Sequence, residues 1–443
     1  MRIIIAGAGE VGKHLAKLLS NEEQDIIVLD NEDKRLASLE NYNLMTVHGD
    51  ATTFASLKSV KAGSADLFIA VTPSEAQNIL SCSMAKSLGA RRTVARIDNS
   101  EFLRLNHKSY FATLGIDHLI YPELLVAREV ASALKHTWVR NWFEMLDGEL
   151  IVVGVKLRAN SMLVGRQLRE LSSVSRFLHI NAVKRGREII IPGGYDVIHE
   201  NDIAYITTTR EHIDDVITAC GKTRRNIERI VIMGGNKIAV QLALLLGEQY
   251  KVKIIEPDMN RCQYLADRLP YCNIVNGEPS DTDIMEEENV ADYDVIIALG
   301  DSSERNILTC VMAKEFGSLK TIAEVENIQF IPEAESLNIG SVINKQLIAS
   351  SRIFQIMLDN DADDARCLAL ADAEVAQLEV RKGAKVTKAD VKDLKLSRDM
   401  TIAGLVRNGY GQLVQGDTRL QEGDLVVVFA LRGAVHKFEK MFS

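Results

Sequence analysis

Nowhere in this 443-residue chain is there a run of the ~20 apolar residues needed to span a bilayer. The most membrane-like stretch, IVIMGGNKIAVQLALLL, is broken by Gly234, Gly235, Asn236 and Lys237. The apolar start of MRIIIAGAGEVGKH is too short for a signal-peptide core and runs straight into glycines, so a cytoplasmic chain is expected. Any action at a membrane then requires docking on a membrane protein. The six cysteines, Cys82, Cys220, Cys262, Cys272, Cys310 and Cys367, form no CxxC pair and have no histidine cluster beside them. That excludes a zinc or disulfide scaffold and predicts buried, reduced thiols. Basic residues are outnumbered, 52 Lys and Arg against 61 Asp and Glu, for a formal net charge of -9. Such a surface repels phosphate backbones and argues against a nucleic-acid partner.

Catalytic signatures are missing as well. None of the ten tyrosines has a lysine four residues later, as short-chain dehydrogenases require, and no His-Asp or Ser-His pairing stands at a strand end. No metal site and no catalytic residue are predicted. An NAD-dependent oxidoreductase remains the alternative to a sensor, because a fold does not by itself fix a function.

What the sequence does have is a long internal repeat. RIIIAGAGEVG at 2–12 matches RIVIMGGNKIA at 229–239. DLFIAVTPSEAQNILSCSMAKSLG at 66–89 aligns without gaps to DVIIALGDSSERNILTCVMAKEFG at 294–317, and half of the 24 positions are identical, among them Asn78/Asn306, Cys82/Cys310 and Lys86/Lys314. This period is far longer than a solenoid repeat and marks duplicated domains. In each copy short apolar strands (RIIIAG, DIIVLD, LMTVHG, DLFIAVT, RTVARI in the first) alternate with helices. Strands without polar alternation suit a parallel sheet covered on both faces, and the βαβαβ order predicts a doubly wound Rossmann-type α/β sheet.

Between the copies the style changes. LIVVGVKLR and INAVKRGREIIIPGGYDVIHENDIAYIT read as β-rich, and AGLVRNGYGQLVQGDTRLQEGDLVVVFA repeats them, with Arg185 on Arg407, Gly194 on Gly416 and Asp202 on Asp424. The predicted organisation is a nucleotide-binding unit at 1–140, a small α+β unit at 141–224, a second nucleotide unit at 225–362 and a second small unit at 363–443. The acidic DNDADD at 359–364 reads as a linker. Val126, Ala127, Val130, Ala131 and Leu134 share one helix face in PELLVAREVASALK, either a core stripe or a crossing to a partner. KQLIASSRIFQIML is its counterpart, and Trp138 and Trp142 read as one helical turn apart.

Gly7, Gly9 and Gly12 form GxGxxG between a strand and a helix, where Gly7 permits the turn, Gly9 admits a pyrophosphate and Gly12 allows close packing. The helix start supplies amides and partial positive charge. Asp30 ends the second strand 18 residues beyond Gly12, either as a ribose-hydroxyl acceptor that favours NAD(H) or adenosine nucleotides over NADP, or as a helix-capping Asp. Asp50 and Ala51 follow the third strand, as an adenine-side contact or a simple turn. Thr72 and Pro73 end the fourth, and Arg96 ends the fifth, placed either to meet a phosphate or as plain surface. In the second copy Asn236 replaces Gly9, Ala239 replaces Gly12, Glu256 takes the ribose position, Gly277-Glu278 replaces Gly49-Asp50 and Glu324 replaces Arg96. That site reads as weaker, altered in ligand or vestigial.

GAGEVG with Asp30, HGDAT, AVT-x5-NIL-x3-MAK, Arg96-Ile97 and Tyr121-Pro122-Glu123 give the chain a full-length resemblance to the tandem RCK (regulator of K⁺ conductance) proteins that serve bacterial Trk potassium uptake. The resemblance implies two RCK units, each a Rossmann-type sheet followed by a small α+β subdomain. It implies a gating subunit, peripheral on the cytoplasmic face of the inner membrane, that controls an integral potassium-conducting subunit of the TrkH type. It further implies a homo-oligomer, a tetramer with eight RCK units per ring, and NAD(H) or ATP/ADP as ligand. Gly7, Ala8, Gly9, Glu10, Val11, Gly12, Asp30, Asp50, Ala51, Thr72, Pro73 and Arg96 would carry the first site. Gly234, Gly235, Asn236, Lys237, Ile238, Glu256, Gly300 and Asp301 would carry the second. An RCK module of a different transporter fits the same residues.

Overall fold

A computed structural model describes the whole chain except residues 21–23, 172–173, 175, 187, 338, 359–366, 371–372, 395, 432–440 and 443. The predicted linker at 359–364 lies outside the described residues. In the first copy β1 (Arg2–Ala6), α1 (Glu10–Leu19), β2 (Asp25–Asp30), α2 (Asp33–Ala37), β3 (Met45–His48), α3 (Phe54–Ser59), β4 (Leu67–Ala70), α4 (Glu75–Leu88), β5 (Arg92–Arg96), α5 (Leu105–Thr113), β6 (His118–Ile120) and α6 (Pro122–Lys135) alternate. The small unit that follows holds β7 (Asn141–Met145), β8 (Leu150–Lys156), β9 (His179–Arg185), β10 (Glu188–Ile190), β11 (Ile203–Thr209) and α7 (Ile213–Ala219). The second copy runs β12 (Arg229–Met233), α8 (Lys237–Leu246), β13 (Lys251–Glu256), α9 (Met259–Arg268), β14 (Asn273–Asn276), α10 (Thr282–Glu287), β15 (Val295–Ala298), α11 (Ser303–Glu315), β16 (Lys320–Glu324), α12 (Ile331–Ser336), β17 (Ser341–Ile343) and α13 (Lys345–Leu358). It is followed by β18 (Cys367–Leu370), β19 (Ala373–Glu379), β20 (Met400–Arg407), β21 (Tyr410–Leu413) and β22 (Leu425–Leu431).

By packing, the chain divides into two compact units: Met1–Arg128 with Lys237–Leu242 and Ile343–Met357, and the remainder. The first unit contains the parallel sheet β3-β2-β1-β4-β5-β6. Its strand order reverses between β1 and β4, which opens a crevice at the carboxyl ends of those two strands. Ile3, Ile4 and Ile5 are wholly buried, as expected of a strand covered on both faces. α13 belongs to this unit as far as Met357, and the Arg92 guanidinium donates to the carbonyls of Ile356 and Met357 at 2.6 and 3.3 Å. These are carbonyls of the last helical turn, where a cation also meets the negative end of the helix dipole.

The second unit holds the other Rossmann sheet, β14-β13-β12-β15-β16-β17, and two antiparallel sheets, β10-β9-β11-β8-β7 and β18-β19-β22-β20-β21. The apolar run of β8 follows from packing on both faces. Ile151, Val153 and Val155 enter the core beneath α7, while Leu150 and Val152 enter a core shared with Val375, Ala403, Val427 and Phe429 of the other antiparallel sheet. β22 alternates likewise, with Val426, Val428 and Ala430 on one side and Val427 and Phe429 on the other. His179 of β9 meets Thr401 of β20 across this sheet-on-sheet contact, Nε2 to Oγ1 at 3.2 Å.

The aligned Arg/Asp pairs have identical bonding. Arg185 grips Asp202 with Nε and Nη2 at 3.0 and 2.8 Å, and Arg407 grips Asp424 at 2.8 and 2.7 Å. Both aspartates are buried, so the bidentate fork satisfies a charge that burial would otherwise penalise. One expectation is overturned. Trp138 and Trp142 are not a helical pair, because α6 stops at Lys135 and Trp142 lies in β7. The aromatic and β-branched TWVRNWF favours extended chain, and the two rings meet edge to face at 6.5 Å. The apolar stripe of α6 is buried within the chain at Val126, Ala127, Val130 and Leu134.

Candidate functional site

The first glycine turn lies at the crevice between β1 and β4. Gly7 adopts φ +108°, and a Cβ there would stand 3.0 Å from the Thr72 amide nitrogen. Gly9 is extended (φ −68°, ψ −174°) and caps α1, and a Cβ there would meet nothing within 4 Å. Gly12 faces inward, where a Cβ would collide with the Gly7 carbonyl oxygen. Packing therefore dictates Gly12 and backbone torsion dictates Gly7, while Gly9 is left as the position where absence of a side chain keeps outside space open. α4 in the same unit is capped by the Ser74 hydroxyl, whereas α1 has no side-chain cap. The first-turn amides of α1, from Glu10, Val11 and Gly12, have the geometry of an anion cradle.

Asp30 is buried at the tip of β2 and organises this turn. One carboxylate oxygen accepts from the Ala8 amide at 2.6 Å and the other from the Glu32 amide at 2.8 Å. The Arg35 guanidinium also stands 3.9 Å from the oxygen that Ala8 bonds. Asp50 lies past β3, where Gly49 donates to the Asp30 carbonyl at 3.0 Å. Its carboxylate accepts from both the amide and the hydroxyl of Thr52, at 2.8 and 2.7 Å, which holds it below the usual carboxylate range. Asp50 thus builds the turn, and Ala51 is half-buried beside it.

Asn78, wholly buried, ties the carboxyl ends of β4 and β5 together. Its Oδ1 accepts from the Thr72 amide (2.9 Å) and hydroxyl (2.7 Å), and its Nδ2 donates to the carbonyls of Thr72 (3.0 Å) and Arg96 (2.9 Å). Thr72, the exposed Pro73 and Arg96 are therefore brought to one edge with the glycine turn. Arg96 is not a plain surface residue. Its side chain is 21% exposed, with Nη2 3.6 Å from Asp98 and 3.9 Å from Glu123. Lys237 pairs with Asp98 at 3.3 Å, and Lys345 stands 3.7 Å from Glu123. Sequence reasoning missed Asn78 as a site-building residue. The available signal was its identity with Asn306 in the duplicated block.

The second turn keeps this frame and changes the lining. Glu256, buried, accepts from the Gly235 amide at 2.6 Å and the Asp258 amide at 3.0 Å, as Asp30 does in the first copy. Asn306 ties Gly300 to Glu324 through bonds of 2.8, 2.8 and 2.9 Å. But the Asn236 amide reaches into the cleft, donating to the Leu299 carbonyl at 2.7 Å and lying 3.4 Å from the buried Glu324 carboxylate. The cavity there is about 80 Å³, lined also by Gly234, Gly235, Glu278, Gly300 and Asp301. Ile238 is buried under the helix start and Lys237 is exposed. Arg261 and Arg305 line the cleft beside the carboxylates, with Arg305 Nη1 3.6 Å from Glu278.

Comparison with known proteins agrees with this architecture. The TrkA-N domain family model matches residues 3–122 and 230–345, and the TrkA-C domain model matches 152–221 and 375–443. The Trk system potassium uptake protein TrkA of Haemophilus influenzae is 29% identical, over 100% of this chain and 99% of its own length. The TrkA homolog 1 of Methanosarcina mazei is 27% identical over 100% of both. Among solved structures, the GsuK RCK domain superposes with TM-score 0.61 at 15% identity, covering 100% of this chain and 94% of that one. A GsuK channel bound to NAD gives TM-score 0.61 at 15% identity, covering 100% and 78%. At that identity the likeness establishes the RCK fold.

Proposed function

Since the chain belongs to the TrkA family, with TrkA-N and TrkA-C domains each present twice, we propose that it is a regulatory subunit of a potassium-uptake system, binding NAD(H) or ADP/ATP at the first glycine turn. The observation that carries this reading is the uncapped start of α1, open at Gly9 and set beside the buried Asp30. In this reading the diphosphate lies on the α1 amides, Asp30 takes the ribose hydroxyls, and Arg96 with Thr72 and Pro73 closes the crevice on the β4–β5 side. In the second turn Asn236 stands where Gly9 leaves space and its amide crosses to the Leu299 carbonyl, so one nucleotide binds per chain in this reading. Full-length relatives named for Trk potassium uptake support the transport role, and among the described residues no helix is long and apolar enough to cross a membrane.

The output is control of a membrane-embedded potassium-conducting subunit by a homo-oligomer, a tetramer of eight RCK units. A nucleotide shifts such an assembly only by its differential affinity for two states, and ~1–3 kcal/mol of coupling gives a several-fold change in conduction. Gly9→Asn, which installs the second copy's residue, is a cleaner probe than a change at Asp30, whose carboxylate also anchors Ala8 and Glu32. The test is potassium uptake at low external potassium in cells lacking the gene, complemented with wild type or Gly9→Asn. Restored uptake with wild type and loss of nucleotide response with the variant are expected. An unchanged rate on deletion, in a strain with no parallel uptake system, overturns the proposal.

A further inference from the structure

Away from both glycine turns, the second unit contains a cavity of about 530 Å³ between α12 and the ends of β8, β9 and β11. Four cations line it, Arg140, Lys156, Arg158 and Lys184, against two carboxylates, Glu333 and Glu335. A local excess of positive charge in a chain of net charge -9 already sets the place apart. Its origin is visible in the register. Lys156 of β8 and Lys184 of β9 both pair with Ile203 of β11, so the three side chains share one sheet face. Two inter-strand spacings put the lysine Cα atoms roughly 10 Å apart, the reach of a short phosphate chain or a mononucleotide.

Arg158, two residues beyond Lys156, has its guanidinium fixed by Asn201, Nη1 to Oδ1 at 2.7 Å. Lys184 is drawn toward the opposite wall by Glu335 at 2.7 Å. Burial and the neighbouring Arg140 and Arg158 push the Lys156 ammonium down to about 8. Like charges gathered in a partly enclosed space repel one another, and an anion among them relieves that repulsion.

The duplication shows that the fold does not need these cations. In the other antiparallel sheet Leu425 occupies the register position of Ile203, and its two neighbours are Glu379 and Val406. One strand arrangement therefore carries two lysines in the first copy and none in the second. We propose that this cleft is an anion site for a small phosphate-bearing effector with two or more phosphate groups, separate from the nucleotide site at the first glycine turn. Arg158 and Arg140 supply planar forks for phosphate oxygens, and Lys156 and Lys184 supply point charges at the two ends.

Calorimetric titration of the full-length protein with inorganic tripolyphosphate at fixed ionic strength tests the assignment. Lys156→Gln is expected to weaken binding on the order of tenfold. Glu335→Gln, which removes an anion from the cleft wall, is expected to tighten it roughly two- to fivefold. Opposite signs cannot arise from loss of folding. Trp138 and Trp142, the two tryptophans of the chain, flank Arg140, and their emission should follow the same isotherm. Wild-type affinity in both variants would place the binding elsewhere, for example on the first glycine turn, and would overturn the assignment. So would absence of saturable binding to the wild type, or a shift of both variants in the same direction.

Discussion

Replacing Gly9 and Gly12 separately should divide a single motif into a binding position and a packing position. At Gly9 the backbone is extended and a new Cβ finds empty space, so Gly9→Asn introduces no clash. Removing a glycine also restricts the unfolded chain, by ~0.4–1 kcal/mol where the native torsions suit the new residue. Local stability should therefore hold or rise slightly, while the side chain fills the approach to the α1 amides and NADH affinity falls by ~2–3 kcal/mol, the worth of one or two charge-assisted hydrogen bonds. At Gly12 the added Cβ of Gly12→Ala meets the Gly7 carbonyl oxygen, a backbone atom that cannot swing aside. α1 must shift away from β1, at the ~1–3 kcal/mol typical of overpacking. The second copy carries Ala239 at this position, so the shift is geometrically attainable. Amide hydrogen exchange read on α1 peptides converts that cost into about 5- to 150-fold faster opening for Gly12→Ala and no acceleration for Gly9→Asn. Calorimetry with NADH should show both variants weakened. Equal exchange in the two variants, or wild-type NADH affinity in Gly9→Asn, would refute the division of roles.

Two further outcomes concern the second unit. The double change Asn236→Gly with Glu324→Arg removes the amide that crosses the second cleft and converts its buried carboxylate into the cation found at Arg96; NADH stoichiometry should rise from one toward two per chain, and an unchanged value would show that the remaining carboxylates still exclude the diphosphate. Burial lowers His179 to about 4 from its ordinary 6.5, so between pH 6.5 and 4 the unfolded chain holds a proton that the folded chain does not. The His179 contribution is full above pH 6.5 and should fall by about 2 kcal/mol between pH 7 and 5; urea midpoints followed by tryptophan emission should show the drop in wild type and a smaller one in His179→Gln, since burial also lowers His118 and His136.

Much of this was legible in the residues, for identifiable reasons. The runs RIIIA and RIVIM are short, apolar and followed by glycine, which leaves a buried parallel strand as the economical reading. The place of Asp30 at the tip of β2 was legible because spacing along the chain sets it. Asn78 was visible as an identity without a reason, since three of its four hydrogen bonds run to backbone groups that no pattern names and the fourth to the Thr72 hydroxyl. The short elements α3, α5 and β6 escaped notice because three to nine residues carry too little periodicity. Asn236 could be read as bulk, but the sequence does not say that its amide turns inward to Leu299. The basic cleft had no linear signature: its cations are scattered from Arg140 to Lys184 and meet only through the register of β8, β9 and β11.

Because α13 as far as Met357 belongs to the first compact unit, with Ala349, Ile353, Phe354 and Met357 buried and Arg92 bonded to its terminal carbonyls, that unit is discontinuous along the chain. Its opening segment ends at Arg128, and its closing segment ends at Met357. On a ribosome adding ~5–20 residues each second, the first segment of that unit waits roughly 10–50 s for its last. Through that interval the apolar side chains that pack with α13 are available to chaperones, or to the same segment of a neighbouring nascent chain, so the order of synthesis influences whether α13 completes its own unit or another's.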